Sequence, residues 1–329
     1  MTMFKKDPGS PKLHHLRAIH LYEWDWNLFM GVKWRHLLYL ACDQKFINEN
    51  CYGSMPGKEC LDPVFVKELE YEIARLTRLA VIMNDDDSKA NYDWIHAFIA
   101  NVVGCSKGLN KKVCIVRGRT LKEAKFHVQT KMGIPKRHIQ HGRFYPLLGT
   151  GQGSTISPPM WLFICRALFD VYCQRAKGAF YVSPDRYVVF TLHILGFVDD
   201  TCRRTNATTG NPSTARTTSP PPNIVWLLTE AYKDSQLWHD ILEACNQKLE
   251  SSKCKYQAIH FNFDEEGALT MALDEASPHP IVVTDGEGHQ LEMKHQPSNV
   301  EIKYLGCFKA PDSNRRQLQA ITAKCDDFA

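Results

Sequence analysis

Two neighbouring carboxylates, Asp199 and Asp200, stand at the end of the apolar run YVVFTLHILGFV, which begins at Tyr187. Like charges side by side repel, and burying them is costly unless something neutralises them. The run is rich in β-branched and aromatic residues, which predicts a strand pair leading to Asp199. A buried strand that ends on two acids either turns there into solvent or brings in a counter-charge, of which a metal ion is one kind. A single strand end does not choose between these. A metal site needs acids from several elements that meet in space.

A second acidic strand end lies upstream. AVIM, residues 80–83, reads as a short buried strand and runs into NDDD, with Asp85, Asp86 and Asp87. Neighbouring strands would set Asp87 beside Asp199 and Asp200. Nucleotidyl transfer can use two Mg²⁺ ions about 3.5–4 Å apart, which hold the attacking and leaving oxygens. Mg²⁺ takes oxygen ligands, commonly one or two carboxylates plus substrate phosphates. Asp85 and Asp86 read as solvated neighbours, and Asp93 as an N-cap for the next helix.

Residues 61–79 space Phe65, Leu69, Ile73 and Leu76 along one helical face. Further helices are predicted over WIHAFIANVVG, near 120–132, and over SPPMWLFICRALFDVYC, the last opened by Pro158 or Pro159. The Thr/Pro-rich stretch 203–223 predicts a flexible loop. Two helices are expected near 224–232 and 235–250, then strands in KYQAIHFNF, PIVVTD, QLEMKH and EIKYLGCF, and a last helix from Ser313 to about Lys324. This order predicts an α+β chain: a split βαβ arrangement with an antiparallel sheet and helices on one face.

The net charge of +4 identifies no polyanion partner. Its distribution says more: between Lys107 and Arg143 there are eleven bases and one acid, Glu123. Such a cluster suits either a phosphate backbone or a solvated face. The twelve cysteines form no CxxC pair and no zinc-ligand spacing. The polar, basic N-terminus is no secretory signal, and the most apolar helix candidate is short and carries Arg166 and Asp170. An intracellular protein with reduced thiols is expected, nuclear or cytoplasmic, without a membrane partner.

Three blocks, in order, resemble the catalytic blocks of reverse transcriptases (RNA-directed DNA polymerases). DSKANYD has an Asp followed five positions later by an aromatic residue, GTGQGSTISP a Gly-Gln-Gly loop opening a helix with Ser-Pro, and FVDD an aromatic-x-Asp-Asp end. KKDPGSPKLHHLRAIHL, CYGSMPGKECLDPVF, LESSKCKY and KYLGCF resemble further segments of the non-LTR retrotransposon and group II intron kind. The resemblance spans nearly the whole chain.

It implies a polymerase right-hand palm over 80–311, with a fingers insertion at 107–148 and the flexible loop at 203–223. Residues 1–79 become partial fingers, and 312–329 a C-terminal helix or the start of a thumb, with little or no thumb expected in the chain. Asp87, Asp199 and Asp200 become the metal carboxylates for two Mg²⁺, with Mn²⁺ as a substitute; Asp87 and Asp199 are read as direct ligands, and Asp200 as a ligand or a support from nearby. Lys253 becomes the general acid towards departing pyrophosphate, and Tyr92 the ring that collides with a ribose 2′-hydroxyl. Gly151 and Gly153 allow close backbone approach to the nucleotide, Gln152 contacts it or the template strand, Arg17 and Lys6 (or Lys12) contact its triphosphate, and Tyr304, Leu305 and Gly306 support the primer end.

The implied partners are an RNA template, a DNA primer and deoxynucleoside triphosphates. For each residue a plain alternative stands beside the role: a core tyrosine at 92, an exposed lysine at 253, an ordinary strand and bulge at 304–306. The stretch NQKLESSK departs from the family's Gly-rich turn, which bears on the geometry at Lys253. The expected function is Mg²⁺-dependent deoxynucleotide transfer onto a primer 3′-hydroxyl, from a retroelement. The alternatives are a catalytically silent, retroelement-derived nucleic-acid-binding remnant and an RNA-dependent RNA polymerase, against which Tyr92 and Phe197 weigh.

Overall fold

A computed structural model of the chain describes residues 2–5, 16–19, 21–88, 91–129, 133–134, 136–142, 148–151, 153–183, 187–206, 224–263, 266, 269–271, 280–305, 307–309 and 311. A ribbon of β1 (Thr2–Lys5) and β2 (Leu16–Ile19) comes first, then helices α1 (Trp24–Asp43) and α2 (Leu61–Thr77). Next come β3 (Val81–Asp87), the short α3 (Asn91–Trp94), α4 (Ala97–Ser106), α5 (Lys111–Glu123), β4 (Lys125–Phe126) and β5 (Ile139–Gln140). They are followed by α6 (Ser157–Arg175), β6 (Ala179–Val182), β7 (Val189–Leu192), β8 (Ile194–Phe197), β9 (Asp200–Asn206) and α7 (Ile224–Ala244). The last strands are β10 (Lys255–Ile259), β11 (Phe261–Phe263), β12 (Leu269–Met271), β13 (Ile281–Thr284), β14 (Gln290–His295), β15 (Ile302–Tyr304) and β16 (Cys307–Lys309).

Six strands form the central sheet in the order β13-β14-β10-β3-β9-β8. Every pair is antiparallel except β10 with β14. β9 and β10 flank β3 and are joined through α7, so β9–α7–β10 is a split βαβ unit with β3 inserted. α7 lies on one face of the sheet, against β13, β9 and β3, and α6 packs on α7, α4 and α1. Enclosure on several sides explains why α6 is apolar nearly all round, with Met160, Phe163, Ile164, Phe169 and Tyr172 buried. Its prolines occupy the first turn, where no backbone donor is lost. Trp238 of α7 meets Phe169 and Tyr172 edge-on at 5.9 and 5.5 Å.

The expectation of helices on one face is corrected by α2, which covers part of the other. The side chains of successive residues on β9 point to opposite faces. Arg203 therefore meets Asp86 and Ser235 of α7 at 2.5 and 3.1 Å, whereas Arg204 meets Glu70 of α2 at 2.7 Å. Both arginines are fully buried. The flexible loop expected at 203–223 thus begins no earlier than 207: residues 203–206 are strand, and 207–223 lie outside the described residues. Asp85 and Asp86 are not solvated either. Asp85 binds the fully buried Lys67 of α2 at 2.6 Å, and Asp86 is closed off with Arg203.

These charges reverse the predicted face of α2. Its buried residues are Pro63, Val64, Lys67, Glu70, Tyr71 and Ala74, while Phe65, Leu69 and Leu76 are exposed. Unpaired buried charge costs more than an exposed leucine or phenylalanine, so the ions of the sheet select the helix face that answers them.

Other boundaries move. α1 was not anticipated, although Met30, Trp34, Leu37, Leu38 and Ala41 repeat at helical spacing and are buried. Asp93 lies within α3, and α4 starts after His96 without a side-chain cap. The helix expected near 120–132 is α5, which starts earlier, at an Asn110 cap that accepts from Lys112 N at 2.8 Å. One helix, α7, replaces the two expected over 224–250, since Asp234 is buried mid-helix and receives Lys177 N and Thr205 Oγ1 at 2.9 and 2.8 Å. The helix expected from Ser313 lies outside the described residues. Among the described residues, no helix is long and apolar enough to cross a membrane.

Candidate active site

The acids meet at one end of the sheet. Asp87 closes β3, Asp200 opens β9, and the two are direct cross-strand partners. Partners in an antiparallel pair project to the same face, so two like charges stand side by side there. Asp199 occupies the two-residue turn between β8 and β9, since Phe197 pairs with Asp200. The other turn residue, Val198, has φ 59°. A β-branched residue in the left-handed region is strained and persists only where its surroundings enforce it.

Two neighbours enforce it. Trp161 of α6 donates Nε1–H to Val198 O at 2.5 Å. The segment Asn50–Gly53 lies along β8, with Gly196 N donating to Asn50 O at 2.9 Å and Tyr52 N to Gly196 O at 2.8 Å. A Cβ on Gly53 would stand 2.4 Å from Val198 N, so only glycine lets this segment seat the turn. Neither Trp161 nor Gly53 was singled out from the sequence as a site residue. The tryptophan was hidden in an apolar helix, and Gly53 was noted only as part of CYGSMPG.

Asp87, Asp200, Lys253, Lys255, Tyr304 and Leu305 line one cleft of about 300 Å³. Burial, then the charges of Asp199, Asp87 and Asp85, push the Asp200 carboxyl up to about 7, with Lys253 opposing. Lys253 Nζ lies 2.5 Å from Asp87 Oδ2. Burial would lower this ammonium, but the hydrogen bond and charge of Asp87 outweigh it, and its pKa is raised. The stretch NQKLESSK places the lysine by a tight turn: Glu250 N donates to Asp87 O at 2.9 Å, and Lys253 N returns to Glu250 O at 2.8 Å.

The donors Asp87, Asp199 and Asp200 are hard oxygens, of the kind Mg²⁺ takes, in an acidic cluster flanked by Lys253 and Lys255. By donor chemistry they fit such a cation, with Lys253 now partly in its place. Their oxygens do not gather as closely as the ligand atoms of Asp285, Glu287 and His289, the group of three donors within 4.8 Å found among the described residues. That group belongs to the exposed β13–β14 hairpin, where Asp285 Oδ1 accepts from Glu287 N and His289 N.

Tyr92 is half-buried, its ring 5.9 Å from that of Trp161. Burial raises its hydroxyl, followed by the charges of Cys165 and Asp199. The Gly-rich loop docks on its backbone, Thr150 N donating to Tyr92 O at 2.7 Å. Gly151 and Gly153 have φ +86° and +100°, and a Cβ on Gly151 would lie 2.3 Å from Tyr22 Oη. Ser157 Oγ, at the start of α6, donates to Thr150 O and Gly151 O at 2.9 and 2.7 Å. Gln152 lies outside the described residues.

Arg117, one of the eleven clustered bases, is fully buried and donates to Asn101 Oδ1, Ala97 O and Gly149 O at 2.8, 3.1 and 3.4 Å. It braces the loop instead of facing solvent. Lys111, Lys112, Arg119, Lys122, Lys125, Lys136 and Arg137 are exposed, and Lys131 and Arg143 lie outside the described residues. Arg17 sits on β2 opposite Phe4, while Lys6 and Lys12 lie outside the described residues. Tyr304 is buried, with Lys67 Nζ 4.9 Å from its ring centroid; Leu305 turns at φ 48°, and Gly306 lies outside the described residues.

No protein-family model matches the chain, and no curated protein matches it. Among solved structures, the chain is similar to an apo telomerase from Candida tropicalis truncated from its C-terminal domain: 13% identity, covering 76% of this chain and 41% of that one, TM-score 0.44. It is also similar to telomerases in complex with a TWJ fragment of telomeric RNA. That from Candida albicans has 14% identity over 69% of this chain and 34% of that one, TM-score 0.41. That from Candida tropicalis has 11% identity over 77% and 39%, TM-score 0.43. The chain spans less than half the length of each.

Proposed function

We propose that the chain carries the catalytic region of a reverse-transcriptase-like polymerase, which adds deoxynucleotides to the 3′-hydroxyl of a DNA primer paired with an RNA template. The supporting observation is the direct pairing of Asp87 with Asp200 at the mouth of a cleft that Lys253, Tyr304 and Leu305 also line. On this reading the central sheet is the palm of a right hand, residues 1–79 and 107–148 belong to fingers, and the source is a retroelement. Asp87, Asp199 and Asp200 would hold two Mg²⁺. Such ions, when bound, would supply neutralisation of triphosphate charge and activation of the primer hydroxyl.

The chain's own groups supply the remainder. Lys253 keeps a proton on Nζ, since Asp87 favours its charged form, and can pass it to the leaving pyrophosphate. The Tyr92 ring, held against Trp161, excludes a 2′-hydroxyl. Gly151 and Gly153 let the backbone approach the nucleotide, with Gln152 at its side and Arg17 and Lys6 on the triphosphate. Tyr304, Leu305 and Gly306 support the primer end. Positioning of the primer against the nucleotide supplies the in-line geometry.

One observation favours a second reading, a catalytically silent nucleic-acid-binding protein. The Lys253 ammonium, 2.5 Å from Asp87 Oδ2, stands where a cation would bind. Primer extension on primed poly-rA with dTTP and Mg²⁺ separates the two. Extension lost in Asp200→Asn and Asp87→Asn supports the polymerase. Folded wild type that binds RNA in a salt-dependent manner without extending a primer supports the silent protein.

A further inference from the structure

Cys105, in the last turn of α4, and Cys114, in the first turns of α5, face each other with their sulfurs 3.2 Å apart. The helices are joined by Lys107–Asn110, where Gly108 turns at φ +97° and Leu109 N returns to Gly104 O at 2.9 Å. The two thiols differ in access: Cys105 is exposed and Cys114 is buried. Cys114 Sγ also lies 3.6 Å from Asn101 O, so it is held in place beneath its partner. Two thiols this close need little backbone movement to bond, and one of them is open to solvent.

We propose that Cys105 and Cys114 form an oxidative modification site, in which a peroxide oxidises Cys105 and Cys114 resolves the product to a disulfide between α4 and α5. The Cys105 thiolate sulfur attacks one oxygen of hydrogen peroxide. The O–O bond breaks, hydroxide leaves and takes up a proton, and the sulfur becomes a sulfenic acid. The Cys114 sulfur then attacks that sulfur; an S–S bond forms, the S–O bond breaks, and the leaving hydroxide departs as water with the Cys114 proton. Two thiols and one peroxide yield one disulfide and two waters.

The division of labour follows the surroundings. Burial, and then the neighbouring Cys105, push the Cys114 thiol up to about 12, so it stays protonated while Cys105 is reduced. Oxidation of Cys105 to the neutral sulfenic acid removes that neighbouring influence. The bond ties α5 to α4 beside Asn101, the residue that also receives Arg117. Arg117 in turn reaches Gly149 O, so oxidation fixes the support of the Gly-rich loop.

The test uses the full chain, reduced, freed of reductant and treated with substoichiometric hydrogen peroxide. Peptide mapping by mass spectrometry is expected to find Cys105 linked to Cys114 as the first disulfide formed. With dimedone present, Cys114→Ser should accumulate sulfenic acid trapped at Cys105, while wild type traps little. Glutathione disulfide gives a second arm: Cys114→Ser keeps a glutathione adduct on Cys105, which wild type resolves. The site is overturned if other cysteines oxidise while Cys105 and Cys114 stay unlinked, or if wild type and Cys114→Ser retain the same adducts. Should Cys114→Ser fail to fold, the wild-type map decides alone.

Discussion

Trp161 donates its indole N–H to the carbonyl of Val198 at 2.5 Å, and so ties the turn that carries Asp199 to a side chain of a buried helix. The same ring lies 5.9 Å from that of Tyr92. One side chain therefore sets the position of the acidic hairpin relative to the tyrosine beside it.

Trp161→Phe keeps most of the packing and leaves Val198 O only the Cys165 thiol, at 4.0 Å, as a weak donor. An unsatisfied buried polar group costs about 1–3 kcal/mol, which urea unfolding should register. Primer extension should fall further than stability accounts for, because the turn is strained and loses its clamp. Gly53→Ala should act in the same direction, through contact with Val198 N. Wild-type extension in both variants would show that the turn needs neither support.

The pair Asp86–Arg203 is closed off from solvent on both sides. Burial raises the Asp86 carboxyl while Arg203 opposes the shift, and Arg203 is itself held in its charged form by Asp86 against its own burial. Asp86→Ala leaves an uncompensated buried guanidinium and should cost about 3–5 kcal/mol. Asp86→Leu with Arg203→Met removes both charges and should recover most of that loss. A double variant as unstable as the single one would mean that the pair does more than neutralise itself.

Asp200, pushed up to about 7, holds its proton more tightly in the folded chain than in the unfolded one, where a carboxyl titrates near about 3.9. Its contribution to stability is whole below about pH 4 and is lost as pH rises through about 7. Asp200→Asn cannot ionise, so in chelator its stability relative to wild type should be higher at pH 8 than at pH 4.5. The expected gain is about 1–3 kcal/mol, discounted because solvent reaches the carboxylate. Equal differences at both pH values would place Asp200 in an unburdened site.

Lys253 pairs with Asp87 Oδ2, so a cation bound there would have to compete with it. Lys253→Met should bind Mg²⁺ more tightly, seen as a larger rise in melting temperature with millimolar Mg²⁺, while extension drops by about 10²–10⁴ for want of a proton donor. Asp87→Asn should lose the Mg²⁺-dependent rise. Unchanged extension in Lys253→Met would remove Lys253 from proton transfer.

Two acidic strand ends, the Gly-Gln-Gly loop before a proline-opened helix, and their order along the chain were legible in the sequence, because they rest on local pattern. AVIM running into NDDD is a strand, α6 starts at its prolines, and the loop glycines 151 and 153 do adopt left-handed backbone. Local pattern also misled. Phe65, Leu69 and Leu76 mark a true helical stripe, yet the helix buries Lys67 and Glu70 instead. Arg203 and Arg204 look like the head of a polar loop, yet they fill the sheet.

The difference lies in what decides each feature. Periodicity, proline and glycine act on their own neighbours, so the sequence by itself determined where strands and helices form and which acids end them. Which charges are buried depends on partners far along the chain. Only the tertiary structure set Asp86 on Arg203, Asp85 on Lys67 and Glu70 on Arg204, since a buried charge is tolerated only where its counter-ion arrives. The same strand register put Asp200 directly opposite Asp87, and a slip of one residue would have turned each to the other face.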